Sequence, residues 1–283
     1  PKMISTDSHV MEPDELWQEL PPRLREHLPN VPFRNSPPGA LDANLRLEDQ
    51  NNDGVAAEIL FPNYGMALYG IDDVELQEEG FKLYNDWLTD WCAPDPKRLV
   101  GTPLISVYDP KAAVKELHRS IDKGLRGAVI WQVPDPQLPF PNTEHYDPIF
   151  AACAEADQPV ICHILTGHGY MKTGHKRNVE GIKDSTNTKT HDSANTLFDM
   201  IFYGYFERHP KLKLLLAETK HFKKCSRSAA DIGAPMLPSG PSAVASIAVS
   251  RRCQLPSALC LITGWLGSKT TNQGMPPSLP SRM

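Results

Sequence analysis

Three short stretches of this chain carry side chains able to hold a divalent cation. Asp7-Ser8-His9 closes one apolar run, His163 closes Pro159–His163, and Glu218 closes Leu212–Ala217. Residues i and i+2 of an extended chain share a face, so Asp7 and His9 can aim at one ion. Two imidazoles and two carboxylates are the donors of a Zn²⁺ or Mn²⁺ site. Such an ion activates water or polarises a substrate oxygen, while a nearby acid or base moves a proton. Each residue also has a plain structural reading. Asp7 could cap a turn, His163 could be a core histidine bonded to backbone, and Glu218 could lie on the surface. What sets the group apart is that every member falls at the C-terminal end of a run that reads as a strand. His168, His175 and His191 fall in the polar stretch Leu165–Ser193, read as a long loop. There they are either solvated or in contact with substrate.

The strands that must position these residues alternate with helical patterns. Met3–Asp7 reads as a strand, and Glu15–Leu28 as an amphipathic stretch interrupted by Pro21-Pro22. Leu45–Asn52 is helical and ends at Asp53-Gly54, and Val55–Phe61 is a strand stopped by Pro62. Asp72 and Asp73 mark the N-cap region of a helix reaching about Ala93, with Phe81, Tyr84, Trp87, Leu88 and Trp91 on one stripe. Leu99–Val107, Gly127–Trp131, Pro159–His163 and Leu212–Ala217 complete six strands. Helices starting at Asp109-Pro110, at Tyr146 and at Ala194 separate them. The later strands are near-continuous apolar runs, as in a parallel sheet buried on both faces. The expected fold is therefore α/β, of the (β/α)8 TIM-barrel type, incomplete because only about six βα units are recognisable. A doubly wound sheet is the alternative, but no GxGxxG follows the first strand. In a barrel the active site lies at the C-terminal strand ends, where the candidate residues fall.

Composition narrows the function classes. The 283 residues are 40% hydrophobic and 22% charged, enough for one large domain or two small ones. A net charge of −5 argues against a nucleic-acid partner. No run approaches the ~18 consecutive apolar residues of a membrane span, and no signal-peptide pattern precedes Asp7. The six cysteines form no CxxC pair. The expectation is a cytoplasmic protein without structural disulfides, acting on a small molecule, with self-association left open.

Charge changes abruptly after Glu218. Residues 219–283 hold one acid, Asp231, against four Lys and four Arg, with ten Ser and seven Pro. The chain is thus read as a domain over 1–218 followed by an atypical Ser/Pro-rich basic tail over 219–283. The tail can be a poorly ordered extension, an irregular subdomain, or the product of a changed reading frame. An abrupt loss of acids and periodicity at one point favours the last. Use of the +7 segment as a nucleic-acid module is weak, because Phe222 and Trp265 are its only aromatics.

Several motifs sharpen the picture. Ile4-Ser5-Thr6-Asp7-Ser8-His9-Val10-Met11-Glu12-Pro13 resembles the opening of the amidohydrolase-2 family, the branch that includes aminocarboxymuconate semialdehyde decarboxylase and related aromatic-acid decarboxylases. Glu58-Ile59-Leu60-Phe61-Pro62, Tyr84-Asn85-Asp86-Trp87, Pro159-Val160-Ile161-Cys162-His163 and Glu207-Arg208-His209-Pro210 extend the resemblance to about Glu218. It implies a metal-dependent barrel enzyme with a divalent ion, Zn or Mn, held by Asp7, His9 and His163. Glu218 and His163 are then the candidate catalytic residues. Many members place a histidine where Glu218 stands, so the glutamate is a departure. Members also use an Asp at the end of the eighth strand, and no strand–Asp context follows Glu218. The implied activity is hydrolysis or decarboxylation of a small carboxylated, possibly aromatic, substrate. The alternative is an inactive truncated barrel lacking its last ligand.

Overall fold

The computed structural model describes residues 3–29, 36–168, 179–218 and 259–261, with backbone alone for 179–190 and 259–261. Among these, the order of the larger elements is β1 (Met3–His9), α1 (Asp14–Trp17), α2 (Pro22–Arg25), α3 (Pro38–Leu41), α4 (Ala43–Asp53), β2 (Val55–Phe61), α5 (Val74–Cys92), β3 (Leu99–Gly101) and α6 (Pro110–Asp122). The chain continues through β4 (Ala128–Ile130), α7 (Thr143–Glu155), β5 (Pro159–His163), α8 (Val179–Phe202), α9 (Tyr205–Arg208), β6 (Lys213–Ala217) and β7 (Leu259–Leu261). A 3-10 helix, Gly65–Gly70, leads from β2 to α5.

Local chemistry explains the boundaries. The Asp73 carboxylate accepts from the Leu76 N–H and caps α5. Asp109 caps α6 through the Lys111 and Ala112 N–H groups, with Pro110 at the first helical position. Gly54 ends α4 at a left-handed φ of 70°, where glycine carries no Cβ penalty. The stretch Glu15–Leu28 is two short helices rather than one, because Pro22 opens a new first turn.

Among the described residues every strand pairing is parallel. The strands run in sequence order, β1-β2-β3 in one sheet and β4-β5-β6-β7 in the other. Among the described residues a single parallel bridge, Leu104 to Val129, joins the two. The expected strand Leu99–Val107 is therefore split. Its ladder to β2 ends at Gly101, and the chain resumes pairing with β4 at Leu104. The seam is held from the side. Asn85 on α5 donates to the Leu104 carbonyl at 3.0 Å and accepts from the Leu104 N–H at 2.8 Å. The buried Tyr69 hydroxyl donates to the Val129 carbonyl at 2.6 Å. The side chains at the end of β1 meet those at the end of β5, four places away in the strand order. A flat sheet would hold those ends far apart, so the strands curl around a common axis. The architecture is α/β with two parallel sheets.

Two further expectations change. Residues 179–193, read as part of a long loop, belong to α8. A seventh strand, Leu259–Leu261, pairs with β6 from within the segment where no strand was read. Among the described residues Cys92, Cys153 and Cys162 are free and buried, and burial pushes the Cys153 and Cys162 thiols up to about 12. No helix among the described residues is long and apolar enough to cross a membrane.

Gly127, which leads into β4, has φ +79° and leaves a Cβ only 2.6 Å from Ile161 Cδ1. Gly127→Ala would combine left-handed strain with a clash in the sheet. Its expected cost is ~2 kcal/mol, read as a lower urea midpoint at unchanged slope. An unchanged midpoint would contradict this account of the turn.

Candidate metal centre

Asp7 and His9 project from the end of β1, and His163 ends β5. Between Ser5 and Ser8 the β1–β2 ladder carries a bulge, since Ser5 faces Glu58 and Ser8 faces Leu60. Thr6 and Asp7 thus share one position opposite Ile59. The Ser5 and Ser8 hydroxyls consequently meet at 2.8 Å, and Ser8 donates to Glu58 at 2.9 Å on the far face of the strand. Asp7 and His9 are left facing β5.

The three ligand-type atoms lie within 4.8 Å of one another. Asp7 Oδ1 is 3.7 Å from His9 Nε2 and 3.4 Å from His163 Nε2. The imidazoles stand edge to face, with centroids 5.2 Å apart and planes at 87°. Phe61 packs against the His163 ring at 4.8 Å. His163 and Asp7 are nearly dry, their side chains 1% and 4% exposed, while His9 is 35% exposed. Among the three, His9 is the most open to solvent.

Backbone carbonyls fix both tautomers. His9 Nδ1 lies 2.8 Å from the Pro62 oxygen, and His163 Nδ1 lies 2.7 Å from the Ile164 oxygen. A carbonyl only accepts, so each Nδ1 carries the hydrogen and each Nε2 turns toward Asp7. His163 Nε2 is buried and makes no hydrogen bond. Two imine nitrogens and a carboxylate oxygen converging in this way suit a divalent ion.

The two imidazoles differ in basicity. Burial lowers His9, and the positive charge of His163 lowers it further, against the opposing pull of Pro62, Asp7 and Glu218. Burial also lowers His163, but Asp7, the Ile164 carbonyl and Glu218 together outweigh it and raise the group.

A family model described as amidohydrolase matches residues 11–222. The chain belongs to the amidohydrolase family. Gamma-resorcylate decarboxylase of Rhizobium sp. (strain MTP-10005) is 27% identical over 218 residues, covering 74% of this chain and 61% of that protein. This family member thus spans 61% of the length of that curated relative. Among solved structures, an amidohydrolase from Mycobacterium avium subsp. paratuberculosis aligns at TM-score 0.62 and 19% identity, over 82% of this chain and 79% of that one. The 5-carboxyvanillate decarboxylase of Novosphingobium aromaticivorans, solved with manganese and 4-hydroxy-3-methoxy-5-nitrobenzoic acid, aligns at 0.58 and 18%, over 82% and 69%. These structural likenesses show a shared fold.

Within this amidohydrolase, the structure brings Asp7, His9 and His163 together and leaves Glu218 just outside the group. Glu218 follows β6 with φ 60°, and its charge reaches both imidazoles. Leu165, two residues past His163, is also left-handed at φ 69°. Each non-glycine residue held so costs about 1–3 kcal/mol, and such strain gathers at functional sites. His168 lies apart, 3.2 Å from Asp72 and 3.7 Å from Asp135, bridging loops after β2 and β4. His191 is exposed on α8, and His175 falls outside the described residues.

Sequence reasoning missed the groups that aim the candidate ligands. The Pro62 and Ile164 carbonyls have no side-chain signature. Arg46, on α4, is one more such group. Its guanidinium donates to the His9 carbonyl at 2.5 Å and the Gly39 carbonyl at 2.6 Å, and pairs with Glu58 at 3.5 Å. The signal was its place on α4 directly before β2, which puts a long cation behind β1.

Proposed function

We propose that this chain carries the metal centre of a carboxy-lyase acting on a small hydroxylated aromatic carboxylate, with Asp7, His9 and His163 as ligands of Mn²⁺ or Zn²⁺. The observation that carries the reading is the convergence of two Nε2 atoms, each oriented by a backbone carbonyl, on Asp7 Oδ1. A divalent ion bound there supplies fixed positive charge for a substrate carboxylate and the oxygen beside it. Decarboxylation is preferred over hydrolysis because the curated relatives include gamma-resorcylate decarboxylases.

The chain's own residues then have separate tasks. Asp7 and His163, both dry, hold the deep side of the site. His9 lines the opening through which substrate arrives. Glu218 is the acid. As the ring–carboxylate bond breaks, its electron pair stays on the ring carbon and takes the Glu218 proton, and CO₂ leaves.

The test supplies Mn²⁺ or Zn²⁺ to the metal-depleted chain with carboxyl-¹³C 2,6-dihydroxybenzoate in D₂O. Labelled CO₂ together with deuterium on the ring is the expected result. Oxygen-18 uptake from labelled water, on substrates with a hydrolysable bond, would point to hydrolysis instead. Metal binding without any turnover is the signature of the inactive truncated barrel. Absence of metal binding would overturn the whole reading.

A further inference from the structure

Glu12 lies three residues past His9 and is 2% exposed. Its carboxylate faces backbone: Oε2 accepts from the Asn63 and Tyr64 N–H groups at 3.0 Å each, and Oε1 accepts from the Gly65 N–H at 2.8 Å. Three consecutive amides thus converge on one side chain. Burial raises its pKa, and the three N–H groups pull the other way. Gly65 keeps the approach open, since a Cβ there would stand 3.2 Å from Glu12 Oε1 and 2.9 Å from Leu104 Cδ1.

The residue just before those amides is Pro62, whose carbonyl orients His9. The end of β1 with the loop after it is therefore tied to the loop after β2 by Glu12 to residues 63–65 and by His9 to residue 62, beside the Val10 N–H to Phe61 carbonyl bond at 3.0 Å and the Asn63 Nδ2 to Met11 Sδ bond at 3.1 Å. We propose that Glu12 is a positioning residue of the metal centre: it clamps the Asn63–Gly65 amides so that the Pro62 carbonyl holds His9 with Nδ1 protonated and Nε2 facing Asp7. This rests on the metal-binding reading given above. A carboxylate suits the task and an amide does not. Two oxygens offer lone pairs to all three donors, whereas the NH₂ of glutamine would face an N–H. The plain alternative is that Glu12 only ties the loop for stability.

The test uses the full chain. Wild type and Glu12→Gln are compared by Mn²⁺ titration followed by EPR, and, metal-free, by the ¹⁵N shifts of the His9 ring. Folding is checked by far-UV circular dichroism. The expected result is a folded variant with about 10- to 100-fold weaker Mn²⁺ binding and a His9 ring that loses its Nδ1–H preference. A lowered melting temperature with unchanged Mn²⁺ affinity and unchanged His9 shifts would overturn the proposal in favour of simple loop tying. If Glu12→Gln does not fold, Glu12→Asp retains the charge with a shorter reach and is read in the same two ways, with unchanged readouts again overturning it. The two readings fail separately. Wild type without Mn²⁺ binding removes the metal reading, while the metal-free His9 shifts still decide the role of Glu12.

Discussion

Replacing His163 by asparagine is expected to weaken Mn²⁺ binding by at least ~100-fold, beyond the loss typical of an outer-shell partner. The side chain is 1% exposed, so no water can move in to replace its nitrogen without rearrangement. Nδ1 is already committed to the Ile164 carbonyl, which leaves Nε2 as its one ligand atom. Asparagine is shorter and places an amide where the ring packed against Phe61. His9→Asn is expected to cost less, because His9 lies at the open side and solvent can take its place. Isothermal titration of both variants checks the order. Equal affinities for wild type and His163→Asn would show that the cluster is a packed core group and not a ligand set.

The second large effect is on stability and lies at the seam between the sheets. Asn85 is fully buried. It satisfies both backbone groups of Leu104 and donates to the Glu116 carboxylate at 2.8 Å. Glu116 is also gripped by Arg119, so Asn85→Ala strands the Leu104 groups more than the carboxylate. A buried group left without its partner costs ~1–3 kcal/mol, and two are exposed to that fate here. The expected loss is ~3–5 kcal/mol, measured by urea unfolding. Asn85→Asp preserves the acceptor for the Leu104 N–H but sets a charge against the Leu104 carbonyl and Glu116. It should be at least as damaging. Asn51→Ala on the exposed face of α4 serves as the control, within ~0.5 kcal/mol of wild type. A loss under ~1 kcal/mol for Asn85→Ala would mean that the seam does not depend on this contact.

The strands that carry the site were legible because their signals are strong and local. Pro159–His163 is a short apolar run with a proline at its start, and it forms β5 over those same residues. Val55–Phe61 lies between Gly54 and Pro62, both of which punctuate the chain, and it forms β2. Asp73 and Asp109 announced their helices through capping chemistry. The start of α8 was not legible, since residues 183–193 are almost wholly polar and show no apolar stripe. β7 has three residues, too few for any period to register. At the site, the candidate ligands could be listed from their types and places, and the resemblance singled out three of them. The carbonyls that choose their tautomers were invisible, because every residue has a carbonyl and only the fold says which one faces a ring.

The irregular ladder between β1 and β2 has a consequence for which ions the cluster can accept. Met3 faces Val55 and His9 faces Phe61, so the two strands end in the same register in which they begin. One residue of slack is taken up after Met3 and released between Ser5 and Ser8. His9 and His163 therefore sit at paired ladder positions, each facing a neighbouring strand. Asp7 sits in the released slack, where the ladder does not set its backbone. On the proposed reading, two ligands act as a rigid jaw and the third as a compliant one. A jaw of this kind closes on cations of different radius by moving the carboxylate alone, and exchange of one metal for another need not disturb the strands that hold it.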